Sequence, residues 1–337
     1  MRVSAVIVAY DTGPPLTRCL ESLAAERGRG AELEAIVVNN GSEAPEIGHA
    51  ADLEFVRVLS PGENLGFAAG SNLGAESASG ELLFFVNPDT VVQPGAIATL
   101  VEALTGEVAI AMPRLLLYDR PDTLNSAGCA IHISGMAWSA RYGAPAASLT
   151  EPIEITYANG SVLAIRRDEF DRLGGFTPEL FLYHEDLELG WRARMRGRRV
   201  VLDARADVLH DYAHGRNPRK NYFMERNRLI FVSTAYSARL LLLLAPVLLS
   251  AELGLTAVSV REGWFRDKAA GWGWCVRNAG WIRRHRRRLQ RERVLRDREL
   301  ARFLTPVVDP QMISVPGLVR AMNPLLRGYW AAVRRLL

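Results

Sequence analysis

The sequence predicts an α/β protein built on a mostly parallel sheet, followed by a separate helical region. Three observations lead there. Short apolar runs alternate with helix-patterned stretches through the first hundred residues. The run Leu82-Leu83-Phe84-Phe85-Val86 shows no polar alternation, the pattern of a strand buried on both faces. Beyond about residue 236 the pattern changes to long apolar and arginine-rich stretches. A chain of 337 residues, 49% hydrophobic and 23% charged, is long and apolar enough for one large domain with an appendage, or for two domains.

Val3 to Ala9 forms a first buried strand, ending in Tyr10-Asp11. Pro14-Pro15 opens a helix, since proline is tolerated in a first turn, and Leu16, Leu20 and Leu23 give it one apolar face. A second strand, Leu33 to Val38, stops at the turn-forming Asn39-Asn40-Gly41-Ser42, and a short third covers Phe55 to Val58. Small residues from Asn64 to Gly74 lead into another helix. The fourth strand is Leu82 to Val86, closed by Asn87-Pro88-Asp89 because proline donates no ladder hydrogen bond. A helix from about Gly95 to Leu104 follows. Short strand–helix–strand connections give parallel strands, so the polar ends of strands one, two and four share one rim. Open α/β sheets bind ligands at that rim, and Asp89 stands on it.

Gly66, Gly70 and Gly74 are spaced by four, which is neither GxGxxG nor a GxxxxGK[ST] phosphate loop. That spacing puts them on one helix face, suited to close packing on a sheet. Asn64 and Asn72 beside them suit either nucleotide contact or local structure. Cys19, Cys129 and Cys275 form no CxxC pair, which argues against a disulfide framework or structural zinc and fits a reducing compartment. The apolar run Val3 to Tyr10 is too short for a signal peptide, so the catalytic part is expected in the cytoplasm.

The ordered set Ala9-Tyr10-Asp11, Val38-Asn39-Asn40-Gly41-Ser42, Asn64-Leu65-Gly66-Phe67 and Asn87-Pro88-Asp89-Thr90 resembles family 2 glycosyltransferases of the GT-A fold. The similarity continues through Asn159-Gly160-Ser161, Gly174-Gly175-Phe176, the stretch Phe181 to Arg192, His210 and Arg226-Asn227-Arg228. It is greatest to the rhamnosyltransferase-like branch that builds bacterial surface glycans. The resemblance implies a GT-A domain over 1–235, a Rossmann-like sheet with helices on both faces. Its nucleotide-binding half would cover about 1–112 and its acceptor half about 113–235, with 236–337 as a helical, membrane-associated region. It further implies inverting transfer of a sugar, rhamnose first, from a dTDP or UDP donor to a lipid-linked or polysaccharide acceptor. Donor contacts would come from Ala9, Tyr10, Asp11, Asn39, Asn64, Gly66, Phe67, Asn72, Asn87, Pro88 and Asp89, with Arg226 or Arg228 toward the diphosphate. Acceptor contacts would come from Asn159, Gly160, Glu185 and Glu188. Two departures stand out: Asn39 replaces a usual aspartate, which bears on base or sugar selectivity, and Asn-Pro-Asp replaces Asp-x-Asp, leaving Asp89 as the sole carboxylate there.

Glycosyl transfer from a nucleotide sugar requires a neutralised leaving diphosphate, a deprotonated acceptor hydroxyl and in-line placement of both. A hard divalent cation, Mg2+ or Mn2+, does the first and prefers oxygen ligands. Asp89 fits that role, and the resemblance adds His210, with His214 as competitor. Asp186 matches the family's base at the start of a helix running to about Met195; Glu185 and Glu188 suit either acceptor contact or stabilisation of the helix N-terminus. A single displacement with one base implies inversion. A nucleotidyltransferase would share the sheet but would carry a glycine- and arginine-rich loop after strand one. A non-catalytic scaffold is motivated by Asn39 and Asn87.

The apolar run Leu240 to Val260 contains only Glu252 as a charge and is long enough to span a bilayer. A lone crossing would export Arg283 to Arg302 against the positive-inside tendency, so an in-plane or protein-packed helix is expected. At the C-terminus, Leu318, Met322, Leu325, Tyr329, Val333 and Leu336 fall on one helical face, with Arg320, Arg327 and Arg334 opposite. With Trp330, this suits the cytoplasmic face of an anionic membrane. No recognition fold accompanies the arginines, which argues against nucleic acid.

Overall fold

The computed structural model describes residues 1–29, 31–211, 217–312 and 317–337. In chain order the strands and helices begin with β1 (Arg2–Ala9), α1 (Pro14–Glu26), β2 (Glu32–Asn39), α2 (Pro45–Ala51), β3 (Val56–Leu59) and α3 (Gly66–Ser77). There follow β4 (Leu82–Val86), β5 (Thr90–Val92), α4 (Ala96–Ala103), β6 (Val108–Leu117), β7 (Arg120–Ser126), β8 (Cys129–His132) and β9 (Ala137–Ser139). Next are β10 (Ile153–Glu154), β11 (Val162–Arg166), α5 (Arg167–Leu173), α6 (Glu185–Met195), β12 (Arg199–His210) and α7 (Lys220–Ala235). The chain closes with α8 (Ala238–Arg261), α9 (Phe265–Arg277), α10 (Ala279–Glu292), α11 (Asp297–Leu300), β13 (Leu304–Thr305), α12 (Gly317–Ala321) and α13 (Asn323–Leu336).

These elements form two compact units, Met1–Cys129 with Ser139–Ala193 and Arg198–Ala213, and Ala130–Trp138 with Arg194–Gly197 and His214–Leu337. The division departs from the expected boundary at 235. Helix α7 belongs to the second unit because it packs against α9 and α10.

The first unit holds a sheet in the order β10-β12-β6-β11-β4-β1-β2-β3, with β5 paired to β12 and β7 to β6. β1, β2, β3 and β4 are mutually parallel, and β12 is parallel to β6. β11 runs antiparallel between β4 and β6. All five residues of β4 are buried, as its apolar composition requires. α3 lies on β1 and β2 through its glycines: a Cβ on Gly70 would stand 3.1 Å from Val8, and one on Gly74 only 2.4 Å from Val6. Buried Glu26, at the end of α1, accepts from Gly95 N (2.7 Å) and Ile97 N (3.2 Å). A carboxylate thereby meets the open N–H groups at the start of α4, whose own N-cap is a glycine.

The second unit contains α7 to α13 and most of a small sheet, β13-β8-β9. In α8, Leu240, Leu244 and Val247 are buried while Leu242, Leu249, Leu253 and Val260 are exposed. Glu252, the one charge of the apolar run, turns inward. It pairs with Arg228 and with Lys268 (2.9 Å), and Trp272 Nε1 donates to it at 2.7 Å. Glu225 completes the cluster, 3.1 Å from Arg228 and 2.5 Å from Lys268. The tail helix differs from expectation. Trp330 and Val333 of α13 are buried and Tyr329 Oη donates to Leu243 O, while Met322, Leu325 and Leu336 remain exposed. Its apolar arc is wider than one contact, so one flank packs on the protein and the other stays open.

Gly74→Ala should lower stability by about 1–2 kcal/mol. The helix-propensity gain of about 1 kcal/mol is outweighed because Val6 is buried and β-branched, with little room to yield. A melting temperature equal to or above wild type would contradict this packing.

Candidate active site

After β4, the turn Asn87-Pro88-Asp89 is pinned by Asn87 N donating to Ser161 O (2.8 Å) and Thr90 Oγ1 donating to Asn87 O (2.7 Å). β5 then pairs with the end of β12, Thr90 opposite His210. That pairing sets His210 Nε2 3.5 Å from Asp89 Oδ1. His210 Nδ1 lies 3.0 Å from Asn125 Oδ1, and an amide oxygen only accepts, so Nδ1 is the donor. In the neutral ring the Nε2 lone pair then points to Asp89, whose buried Oδ1 accepts no hydrogen bond. Two electron-rich atoms set against one another in this way fit a cation, with Asn125 fixing the tautomer from behind. The carboxylate is 22% exposed, leaving an open side where phosphate oxygens can complete a shell. Asp211 N donates to Asp89 O, and the Asp211 carboxylate is paired with Arg18 at 2.8 Å. Among the described residues no set of three or more His, Cys, Asp or Glu gathers as a metal cage; His214 lies outside the described residues.

Asp186 stands in the first turn of α6. Its Oδ2 accepts from Gly160 N at 2.8 Å and its Oδ1 from Leu187 N at 2.7 Å. Burial outweighs these two bonds and pushes its carboxyl up to about 6. Burial, then the Asp186 charge, drives Glu185 well above the usual carboxylate range. Glu185 Oε2 is buried and takes no hydrogen bond. Asp186 therefore ionises first, and Glu185 keeps its proton beside it.

A strained loop delivers this helix. Phe181, Tyr183 and His184 have φ of 63°, 67° and 68°. With ψ of −62° and Leu182 N donating to Leu180 O (2.7 Å), Phe181 centres a γ-turn of the rare, strained form. The loop is tied to the opposite wall. Phe181 O accepts from Ala68 N at 3.1 Å, and Gly66 (φ 73°) presses so close to Phe181 that a Cβ would stand 2.6 Å away.

The remaining candidates separate into rim and framework. Tyr10 and Asp11 are exposed at the end of β1, Asp11 with φ 47°, and a Cβ on Gly41 would stand 4.0 Å from the edge of the Tyr10 ring. Pro88 is half-buried beside Asp89. Asn39 is half-buried and uses Oδ1 to accept from Gly41 N and Ser42 N. Asn64 is exposed, but its Oδ1 accepts from Asn40 Nδ2 (2.9 Å) and Gly66 N (2.9 Å). Asn159 Oδ1 accepts from Ser161 N, which shapes the turn that offers the Gly160 N–H to Asp186.

Several expected ligand contacts are instead structural. Ala9 is fully buried, its carbonyl accepting from Asn40 N. Asn72 bonds both polar groups of the Phe176 backbone, at 2.8 and 2.9 Å. Phe67 packs edge-on against Phe176, in a cluster with Phe85 and Phe170. Glu188 is buried and held by Arg192 Nε (2.8 Å) and Thr177 Oγ1 (3.0 Å), so it is not an open acceptor contact. Glu185 is equally enclosed. Arg226 belongs to the second unit, where its guanidinium lies 4.8–5.3 Å from the centres of the Tyr222, Phe223 and Trp274 rings. Arg228 is committed to the Glu225–Glu252 cluster. Sequence reasoning missed Asn125 and the bracing role of buried Asn40, which donates to Asn64 and Gly66 and accepts from Leu65 N. Asn40 lies within the turn read from the sequence, whereas nothing local marks Asn125.

Comparison with known proteins identifies the family and the fold type. Residues 4–174 match the family model for glycosyl transferase family 2, and the chain belongs to that family. It is 28% identical over 236 residues to the O-antigen biosynthesis protein RfbC of Myxococcus xanthus, a match covering 65% of this chain but only 18% of that protein. It is 30% identical over 243 residues to the N-acetylglucosaminyl-diphospho-decaprenol L-rhamnosyltransferase of Mycobacterium tuberculosis, covering 63% of this chain and 78% of the relative. The fold is of the GT-A glycosyltransferase type. GalNAc-T7, solved with UDP, GalNAc and Mn2+, superposes with a TM-score of 0.59 at 18% identity, over 69% of this chain and 48% of that one. The mannosyltransferase PcManGT of Pyrobaculum calidifontis, solved with GDP-Man and Mn2+, gives 0.50 at 13% identity, over 98% and 85%.

Glu188→Gln should cost on the order of 3 kcal/mol, because the carboxylate that offsets the buried Arg192 charge is lost. Acceptor KM should stay within about twofold of wild type at temperatures where the variant is folded. A variant with normal stability and a raised acceptor KM would restore Glu188 to the acceptor site.

Proposed function

We propose that the first unit is an inverting, metal-dependent glycosyltransferase acting in bacterial surface-glycan synthesis. It would move a sugar, rhamnose foremost, from a dTDP or UDP donor to a lipid-linked or polysaccharide acceptor. The observation that carries this is the contact path joining the two halves of the chemistry. Asn87 of the Asp89 turn bonds Ser161, and Gly160, next in the chain, bonds Asp186. The relative from Mycobacterium tuberculosis, named for a diphospho-decaprenol acceptor and an L-rhamnosyl group, supports the substrate class.

Asp89 and His210 would hold Mg2+ or Mn2+, which when bound supplies positive charge to the leaving diphosphate. Tyr10, an exposed ring on the same rim, offers a stacking face to the base of the donor. Asp186 takes the proton of the acceptor hydroxyl as that oxygen bonds to the anomeric carbon. The bond to the diphosphate breaks on the opposite side, so configuration inverts. Gly160 N–H and Leu187 N–H hold both carboxylate oxygens in place throughout. The strained 181–184 loop, bonded to the start of α3, fixes where α6 begins.

The second unit would hold the enzyme at the cytoplasmic face of the membrane through the exposed apolar stripe of α8. Within this 24-residue helix an 18-residue window has mean hydropathy 2.1, and the helix is long enough to cross a bilayer by length and composition. Its middle is tied to Arg228 and Lys268, so a crossing would carry that four-charge cluster toward the hydrocarbon. An in-plane position avoids this.

Asp186→Asn should reduce kcat/KM by about 10²–10⁴ with donor affinity unchanged. Because the base works ionised, wild-type activity should fall as pH drops through about 6, and the residual activity of the variant should lose that limb. Retained turnover in the variant would remove Asp186 as base.

Asp89→Ala should abolish Mn2+-dependent binding of the nucleotide sugar, measured by calorimetry, while the melting temperature is kept. Unchanged Mn2+-dependent affinity would place the metal elsewhere.

A further inference from the structure

Helix α10 carries Arg283, Arg284, Arg287, Arg288 and Arg291 on its exposed side, while His285 and Leu289 are buried on the other. Arg286 and Gln290 fix the helix to the protein. Arg286 Nη1 donates to Tyr236 O at 2.7 Å, and Gln290 Nε2 donates to Thr234 O and Ala235 O at 3.0 and 3.1 Å. The arginines are thus displayed on a helix anchored along its opposite face. Among the described residues Arg283, Arg284, Arg287 and Arg291 have no carboxylate partner. Arg284, Arg287, Arg288 and Arg291 line one shallow groove whose single acid, Glu292, is already paired with Arg196.

Such an array is unfavourable for the isolated helix. Arg283, Arg287 and Arg291 repeat at four-residue intervals, as do Arg284 and Arg288, and like charges at that spacing repel. Guanidinium groups in this density suit phosphate oxygens, which they bind in a planar, two-pronged manner. A second observation indicates where those phosphates are. The same unit exposes the uncharged stripe Leu242, Leu249, Leu253 and Val260, and half-buries Trp264, Trp272, Trp274 and Trp281 along α9, α10 and the turn before them. Apolar stripe, interfacial tryptophans and basic face together are the composition of a surface that rests on lipid, not of one that reads nucleic acid.

We propose that the arginine face of α10 is a docking surface for the phosphate headgroups of anionic phospholipids. It acts together with the apolar stripe of α8 and independently of the arginines of α13. This rests on the membrane reading of the second unit and assigns its electrostatic part to one helix. Each arginine near a charged bilayer surface strengthens binding roughly fivefold, so losing four should weaken it about 600-fold.

The test is flotation of the full chain with phosphatidylcholine vesicles, plain or containing about one-third phosphatidylglycerol. The wild type should bind the anionic vesicles far more tightly and lose most of that preference at high salt. Substituting Arg283, Arg284, Arg287 and Arg291 with Gln should weaken binding to the anionic vesicles about 600-fold while leaving the weak binding to plain vesicles. The melting temperature should hold or rise as repulsion is relieved. An Arg320, Arg327 and Arg334 to Gln variant should change the preference by less than about fivefold. Wild type that binds anionic vesicles while the α10 variant binds equally well would overturn the proposal and spare the membrane reading. Wild type that ignores both vesicle types, or that prefers duplex DNA to anionic vesicles, would overturn both.

Discussion

The site depends on one strand running the wrong way. β11 is antiparallel between β4 and β6, with Val162 opposite Val86. A strand that begins where its neighbour ends brings its leading turn to the neighbour's carboxyl rim. Had β11 been parallel, residues 159–161 would lie at the far edge of the sheet. As built, Ser161 receives the Asn87 N–H and Gly160 is free to offer its own N–H to Asp186. The Asp89 turn comes from the parallel half, Asp186 from a helix about a hundred residues later. Of the two bonds that join them, Asn87 N to Ser161 O is backbone to backbone and no side-chain substitution removes it directly, whereas Gly160 N to Asp186 Oδ2 depends on the carboxylate itself.

The same rim concentrates strain and buried charge. Three left-handed, non-glycine residues precede α6, and such residues persist only where their surroundings over-determine them. Here the surroundings are identifiable. Gly66 leaves room for Phe181, Ala68 N binds its carbonyl, and Arg192 holds the carbonyl of Gly175 at 2.5 Å and that of Leu173. Glu188 neutralises Arg192 at 2.8 Å, so the ion pair braces the chain leading to Asp186. A carboxylate two residues from a catalytic one looks like its partner in sequence. On a helix, residues two apart point in well-separated directions, so Asp186 can reach the rim while Glu188 serves the interior.

The first half of the fold was legible because its signals are local. Uninterrupted apolar runs, a Pro-Pro helix start and glycines at four-residue spacing each have one dominant physical reading, and β1, α1, β2, β4 and α3 follow them. β3 begins one residue later than expected, an edge strand of four residues with weak patterning. What was not legible lay in pairings between distant segments. Nothing near Asn125 marks it as the group that orients His210 85 residues away. Asn72 and Phe67 carry the residue types of a ligand contact, yet their partners are Phe176 backbone and ring. The boundary at 235 failed for a related reason: α7 continues the family pattern in sequence but packs with the helices that follow.

Arginine richness, uninformative as composition, becomes informative once the structure sorts it by burial. Arg192, Arg194, Arg226 and Arg228 are buried, and each has a role suited to a flat, delocalised cation. Arg194 stacks 4.0 Å from the centre of the Phe303 ring, Arg226 lies among three rings, and Arg192 and Arg228 bind several oxygens at once. Buried lysine occurs at Lys268, where two carboxylates converge on a compact ammonium. In the interior, then, each cation meets rings or acids that offset its desolvation. On α10 four arginines of the same chain meet neither. A protein that satisfies its buried cations this thoroughly, yet leaves a row of surface ones mutually repelling, keeps that row for an anion outside the fold.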